Sequence, residues 1–113
     1  MYACLYSLSA PVAVLIKLAE EFTPRFEVVG PLVMLDISGL SRLFGTPQDI
    51  GEQLRRSAAG QPVRIALASS QTAAALVALG RAGLSVLASD EQPVALALLP
   101  VSVLGEFERL RIK

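Results

Sequence analysis

The sequence predicts an α+β fold, an α/β sandwich made of a βαββαβ core followed by an αβα extension. Three observations carry this expectation. Short apolar runs alternate with stretches of helical periodicity along the whole chain. Two of the runs, residues 25–29 and 32–37, are separated only by Gly30-Pro31, and so short a connection pairs two strands antiparallel. Apolar residues make up 53% of the chain and aromatics only 5%, so the layers must close through tightly packed Leu, Val, Ile and Ala.

The elements follow in order. Tyr2-Ala3-Cys4-Leu5-Tyr6-Ser7-Leu8 reads as a strand rich in aromatic and apolar residues. Ser9 is the expected N-cap of the first helix, with Pro11 in its first turn. That helix runs to Phe22, with Leu15, Leu18 and Phe22 on one face and Lys17, Glu20 and Glu21 toward water, and Pro24 stops it. Arg25–Val29 forms a strand, Gly30-Pro31 a turn, and Leu32–Ile37 a nearly continuous apolar strand, the pattern of a strand covered on at least one face.

Leu40–Gly45 is a connector in which Leu43 and Phe44 are expected to tuck under the domain. Thr46-Pro47-Gln48-Asp49 is a helix start: Thr46 caps, Pro47 takes the first helical position, and Asp49 suits the positive helix end. Ile50, Leu54 and Ala58 form the buried stripe, Arg55 and Arg56 lie outside it, and Gly60 ends the helix.

Val63, Ile65 and Leu67 alternate with Arg64, Ala66 and Ala68 in a further strand. Ser69 or Ser70 caps an alanine-rich helix over 71–81, closed by Gly83; 84–88 is a short last strand. Ser89 or Asp90 begins a helix through Leu99, Pro100 breaks it, and 102–110 is a candidate for one more. Alternation around a central hairpin matches a ferredoxin-like split βαβ core, extended at its end. Charge thickens after Pro100 (Glu106, Glu108, Arg109, Arg111, Lys113), which makes 1–100 the core domain and 101–113 a separate segment.

With 113 residues the chain fits one domain. Ten basic and ten acidic residues cancel, which argues against a self-sufficient nucleic-acid binder. Cys4 is the single cysteine, so no internal disulfide forms, and it reads as an inert core thiol. The absence of histidine removes the commonest general base and metal ligand. The apolar first sixteen residues lack a basic leader and are interrupted by Pro11, and no run approaches the ~20 residues that span a bilayer. The expectation is a soluble, cytoplasmic protein without membrane contact.

Polar residues read as structural. Asp36, at the end of an apolar strand, is expected to accept hydrogen bonds from the Ser38-Gly39 turn. Ser69-Ser70 cap a helix, Arg81 complements a helix end, and Arg55-Arg56, Glu20-Glu21 and Glu106/Glu108 face water. Gly80 and Gly83 end a helix and have the wrong spacing for a dinucleotide loop. No catalytic, cofactor-binding or metal-binding residue is assigned.

At this point the residues resemble the palm of the Y-family translesion DNA polymerases. Leu18–Glu27 looks like that family's helix-turn-strand entry, and Leu35-Asp36-Ile37-Ser38 like the "LD-(V/L)-T" closing its catalytic strand. Ile65–Ala74 is similar to its strand-to-helix step, and Leu99-Pro100-Val101 to the "LPV" that leads into the thumb. The resemblance covers roughly residues 13 to 110 and implies a palm whose hairpin, 25–29 with 32–37, sits in the centre of a sheet backed by helices 12–22 and 71–81. Residues 101–113 would then begin a truncated thumb-like segment.

In the active family the catalytic strand reads "S-(I/V)-D-E-A-(F/Y)-L-D". The Asp-Glu pair falls here on Pro31 and Leu32, and the nearest equivalents of the first-strand acid are Tyr6 and Leu8. Carboxylates must hold the divalent ions of nucleotidyl transfer. The family's fingers insertion is missing too, and its Lys falls near Gln71. Leu35-Asp36-Ile37-Ser38-Gly39-Leu40-Ser41-Arg42-Leu43-Phe44-Gly45 resembles the "LD-x-(T/S)-G-x-x-x-LFG" of the inactive ImuB-like branch. This implies a scaffold without enzymatic activity or cofactor, acting in DNA repair and translesion synthesis through contacts with an error-prone polymerase, a sliding clamp and a RecA-like partner. Direct DNA binding would be weak or absent, and an aliphatic core of this kind is expected to leave an exposed apolar patch where the family's further domains would sit, which would invite association. The alternative is a STAS-like regulatory binding module, which Val33–Leu40 also resembles; Leu40-Ser41-Arg42-Leu43 stands where that family's phosphorylatable Asp-Ser-x-Gly should follow, and pairing of strand 32–37 in parallel with 63–68 would favour it.

Overall fold

The computed structural model describes residues 1–58, 60–88 and 90–112, with the side chains of 110–112 aside. The chain forms β1 (Tyr2–Tyr6), α1 (Val12–Glu20), β2 (Phe26–Val29), β3 (Leu32–Asp36), α2 (Ser41–Phe44), α3 (Pro47–Ser57), β4 (Arg64–Ala68), α4 (Gln71–Gly80), β5 (Leu84–Val86), α5 (Gln92–Ala97) and α6 (Val101–Ile112). The strands make a five-stranded sheet in the order β2-β3-β1-β4-β5. The pairs β2–β3, β3–β1 and β1–β4 are antiparallel, and β4–β5 is parallel. The fold is thus α+β, as expected.

The hairpin forms around Gly30, whose φ of 58° suits a residue without a side chain. It occupies one side of the sheet, not its centre: β2 is the edge strand, and the central position belongs to β1. Ala3-Cys4-Leu5-Tyr6 and Leu32-Val33-Met34-Leu35 are buried on both of their alternating faces. Strands that are apolar all round need cover on both sides.

That requirement corrects the expected layering. Ala3, Leu5, Val33, Leu35, Ile65 and Leu67 face one way, against Leu15 and Leu18 of α1 and Ile50 and Leu54 of α3. Cys4, Tyr6, Leu32, Met34, Ala66 and Ala68 face the other way, against α4. Helices 12–20 and 71–80 therefore cover opposite faces of the sheet.

Helix α4 is buried from Ala73 through Leu79 without a gap. A helix with no polar stripe must be covered all round, and α4 lies between the sheet and α5–α6, with Val103 of α6 buried in the same cluster. Gly80 permits the closest approach: a Cβ there would stand 2.5 Å from Leu99 Cδ2 and 3.3 Å from Val103 Cγ2.

Local starts differ in detail from the expected ones. Ser7, not Ser9, organises the entry to α1: its Oγ accepts from the N–H of Ala10 at 2.9 Å and donates to the Pro62 carbonyl at 3.0 Å. The connector 40–45 contains the short α2, in which Leu43 is 77% exposed instead of tucked in. Phe44 packs on Phe22 with ring centroids 5.0 Å apart. Helix α3 begins as expected, with a reciprocal Thr46–Asp49 capping box and Pro47 at its start. Ser70 caps α4 by accepting from the Ala73 N–H, while Ser69 accepts from Gln92 Nε2 at 2.7 Å. Helix α5 begins only at Gln92; Ser89 and Lys113 lie outside the described residues.

Candidate functional site

One end of the sheet holds the positions where the resemblance places carboxylates. The β1–β3 register pairs Leu5 with Val33, and one step further Tyr6 stands beside Leu32. Leu32 is 2% exposed and packs in the cluster that holds Tyr6, Leu76 and Leu79. Pro31 is exposed in the turn. A charge at 32 would enter this apolar layer, at a cost that shifts a carboxyl toward its neutral form.

Arg64 is a cation beside Tyr6, and sequence reasoning assigned it no role. Its Nη1 donates to the Leu79 carbonyl at 2.9 Å, and its guanidinium carbon lies 5.9 Å from the Tyr6 ring centroid. It thereby ties the start of β4 to the end of α4. The only forewarning in the sequence was one basic residue on the face of 63–68 that otherwise carries alanine. Beyond Tyr6, Leu8 is exposed at the mouth of a cavity of about 380 Å³ that Pro62, Val63, Arg64 and Gly83 help to line.

The other end of the sheet carries Asp36. Its Oδ1 accepts from the Ser38 N–H at 3.0 Å, the turn-fixing role expected of it. That bond, reinforced by the Ser38 hydroxyl and by the nearby charges of Arg25 and the N-terminal ammonium, holds its carboxyl below the ordinary 3.8. Tyr2, Arg25, Phe26, Glu27 and Gln71 join Asp36 around a shallow cavity of about 200 Å³. Tyr6 and Leu32 lie at the far ends of their strands from it. Among the described residues, no group of three or more His, Cys, Asp or Glu side chains is placed to hold a metal ion. Cys4 is fully buried in β1, and burial pushes its thiol up to about 12.

The third feature is apolar. Val94 of α5, Leu98 just beyond it, and Val101 and Leu104 of α6 are all exposed. Leu98 also lines a cavity of about 230 Å³ with Gly80, Arg81, Ala95, Leu99 and Pro100. The sequence predicts such a patch but not its place. Its signal is the pair of spacings 94/98 and 101/104, each of which puts two apolar side chains on one helix face. Arg81 stands at the end of α4, as expected of a helix-end cation, and its N–H donates to Val77. Among the described residues, no helix is long and apolar enough to cross a membrane. No family model, no curated protein and no solved structure matches this chain.

Proposed function

We propose that this chain is a catalytically inactive relative of the Y-family polymerase palm, acting in the cytoplasm as a protein-binding scaffold in DNA repair and translesion synthesis. One observation carries the reading. Of the positions that the resemblance equates with metal-binding acids, Tyr6 and Leu32 adjoin across β1 and β3 inside the packed layer, Pro31 and Leu8 are exposed, and none of the four carries a carboxylate. The antiparallel order β2-β3-β1-β4 supports it further, since a ferredoxin-like palm core requires that order. The segment Leu35–Gly45, which matches the inactive branch, closes β3 and runs through α2. Residues 1–100 are then the palm-like unit and 101–113 the start of the thumb-like segment, with the apolar face of Val94, Leu98, Val101 and Leu104 at their junction.

The partners this reading names are an error-prone polymerase, a sliding clamp and a RecA-like protein. β3 pairs with β1 and β2, not in parallel with β4, so no observation favours the regulatory-module alternative. The test is genetic and biochemical together. Deleting the coding segment should lower ultraviolet-induced mutation frequency, and the purified chain should extend no primer with Mg²⁺ or Mn²⁺. Unchanged induced mutagenesis, or metal-dependent extension, would overturn the reading.

A further inference from the structure

At the end that holds Arg64 the sheet comes apart. Strands β4 and β5 begin their pairing at Ile65↔Leu84, where the Ile65 N–H donates to the Gly83 carbonyl at 3.0 Å. Gly83 turns there with a φ of 76°, and among the described residues the N–H groups of Ala82 and Gly83 donate to nothing. The cavity of about 380 Å³ lies in this gap, between the residues that follow β1 and those that precede β4 and β5. Its volume falls in the range of small-ligand sites.

The lining divides by chemistry. Leu8, Pro62, Val63 and Ala82 are apolar, and Leu8 is 72% exposed. Arg64 is the one charged residue of the lining; no carboxylate lines the cavity, and none pairs with Arg64 among the described residues. The Leu79 carbonyl and the Tyr6 ring fix this half-buried cation in place before any ligand arrives. Only its Nη1 is engaged by the carbonyl, and a guanidinium carries further donors in a planar fork that matches a carboxylate. The side chains of Ser9 and Gln61, also in the lining, hydrogen-bond nothing among the described residues.

We propose that this cavity binds the carboxylate of an aliphatic acid, with Arg64 and the Ala82 and Gly83 N–H groups as donors to its oxygens and Leu8, Pro62 and Val63 as the bed for its chain. Charge selects that occupant: a lone cation without a counter-ion matches a monoanion, whereas a phosphate brings more negative charge than the lining balances. Free backbone N–H groups are a recurrent means of holding a terminal carboxylate. The same group is carried by a free aliphatic acid and by the C-terminus of a protein that ends in an aliphatic residue. The inference rests on the cavity and its one cation, independent of the repair context.

The experiment titrates the isotope-labelled intact chain and reads backbone amide shifts. The probes are 4-methylpentanoate, an N-acetylated pentapeptide ending in a free leucine carboxylate, the same peptide as its C-terminal amide, and inorganic phosphate. Both carboxylates should shift Ser9, Ala82 and Gly83 saturably, and the amide should not. A peptide bound more tightly than the free acid assigns the ligand to a protein C-terminus; a free acid bound as tightly or more so assigns it to small acids. Arg64→Met should abolish binding. Because Arg64 also holds Leu79, exposed Gln61 supplies a variant that leaves the fold alone: Gln61→Glu sets a like charge in the lining and should weaken both carboxylates about tenfold. The proposal is overturned if neither carboxylate shifts these amides, if the amide form or phosphate binds as well as the acids, or if either variant leaves the affinity unchanged.

Discussion

Arg64 holds Tyr6 from the end of the sheet: its guanidinium lies over the ring at 5.9 Å while it donates to the Leu79 carbonyl. One side chain thus joins β4, β1 and α4 at the end of the sheet where Tyr6 adjoins Leu32. Replacing it by methionine keeps the aliphatic stem but removes the donor and the cation. The carbonyl bond is worth about 1.5 kcal/mol as a charged hydrogen bond and the ring contact about 0.5 kcal/mol. Arg64→Met should therefore lower stability by about 2 kcal/mol in urea denaturation, with an unchanged slope. A loss below about 0.5 kcal/mol would show that the contact is idle.

Leu32→Glu is the harsher change at the same end. Leu32 packs under α4 with Leu76 and Leu79, so a carboxyl there loses apolar burial and is itself desolvated. The two effects together cost about 3 kcal/mol or more at neutral pH. The loss should shrink as the pH falls and the carboxyl is neutralised. If Mn²⁺ instead restores stability to Leu32→Glu, the site accepts a metal and the scaffold reading weakens.

Most of the elements were legible because periodicity reports burial directly: Leu15 and Leu18, Ile50 and Leu54, and the alternation of 63–68 all lie where their spacing places them. The layering was harder to read. The 71–80 helix is alanine-rich on every side, and nothing in a stretch without a polar face says which side of a sheet it covers. The hairpin signal at Gly30-Pro31 showed that β2 and β3 pair, but strand order depends on the long-range pairing of β1, which no local motif encodes. The candidate sites were least legible. Arg64 and Gln92 matter through partners distant in the chain, Leu79 for Arg64 and Ser69 for Gln92.

Asp36 gives a pH signature. Its carboxyl lies below 3.8 because Ser38 hydrogen-bonds the charged form. A group with a depressed folded pKa contributes stability above its unfolded value, and the contribution is lost as pH falls through the folded pKa. Ser38→Ala, which keeps the backbone N–H but removes the hydroxyl, should raise the Asp36 midpoint followed by carboxyl NMR. An unchanged midpoint would leave the backbone N–H and the nearby charges as the cause.

Cys4 has the opposite sign. Its thiol is raised from 9.0 to about 12 by burial. Between these values the unfolded chain releases the proton and the native chain keeps it, so stability falls as pH rises through that window. Because only the thiolate reacts, a disulfide reagent at pH 8 should label Cys4 at the rate of opening of the native sheet. Labelling should accelerate with urea in step with unfolding. Rapid labelling without denaturant would mean that β1 opens locally.

Two helical glycines make a paired test of how closely the layers pack. Either change to alanine gains helix propensity, about 1 kcal/mol in a helix interior and less at an end. At Gly51 of α3 the neighbours are one methyl of Leu84 at 2.8 Å and one of Val86 at 3.3 Å, both half-buried side chains that can shift into the cavity they line with Gln48 and Glu52, while buried Leu67 at 3.4 Å is in ordinary contact. Gly51→Ala should therefore be close to neutral. Gly80 closes α4, so its propensity gain is small, while a new Cβ meets Leu99 at 2.5 Å and buried Val103 at 3.3 Å. Overpacking of that kind costs about 1–3 kcal/mol, so Gly80→Ala should destabilise by about 1 kcal/mol or more. The loss should appear with faster amide exchange along α6, since displacing Leu99 and Val103 loosens that helix first. Equal effects at the two sites would mean that α6 adjusts as freely as the β5 edge, and that the α4–α6 contact is not a fixed part of the fold.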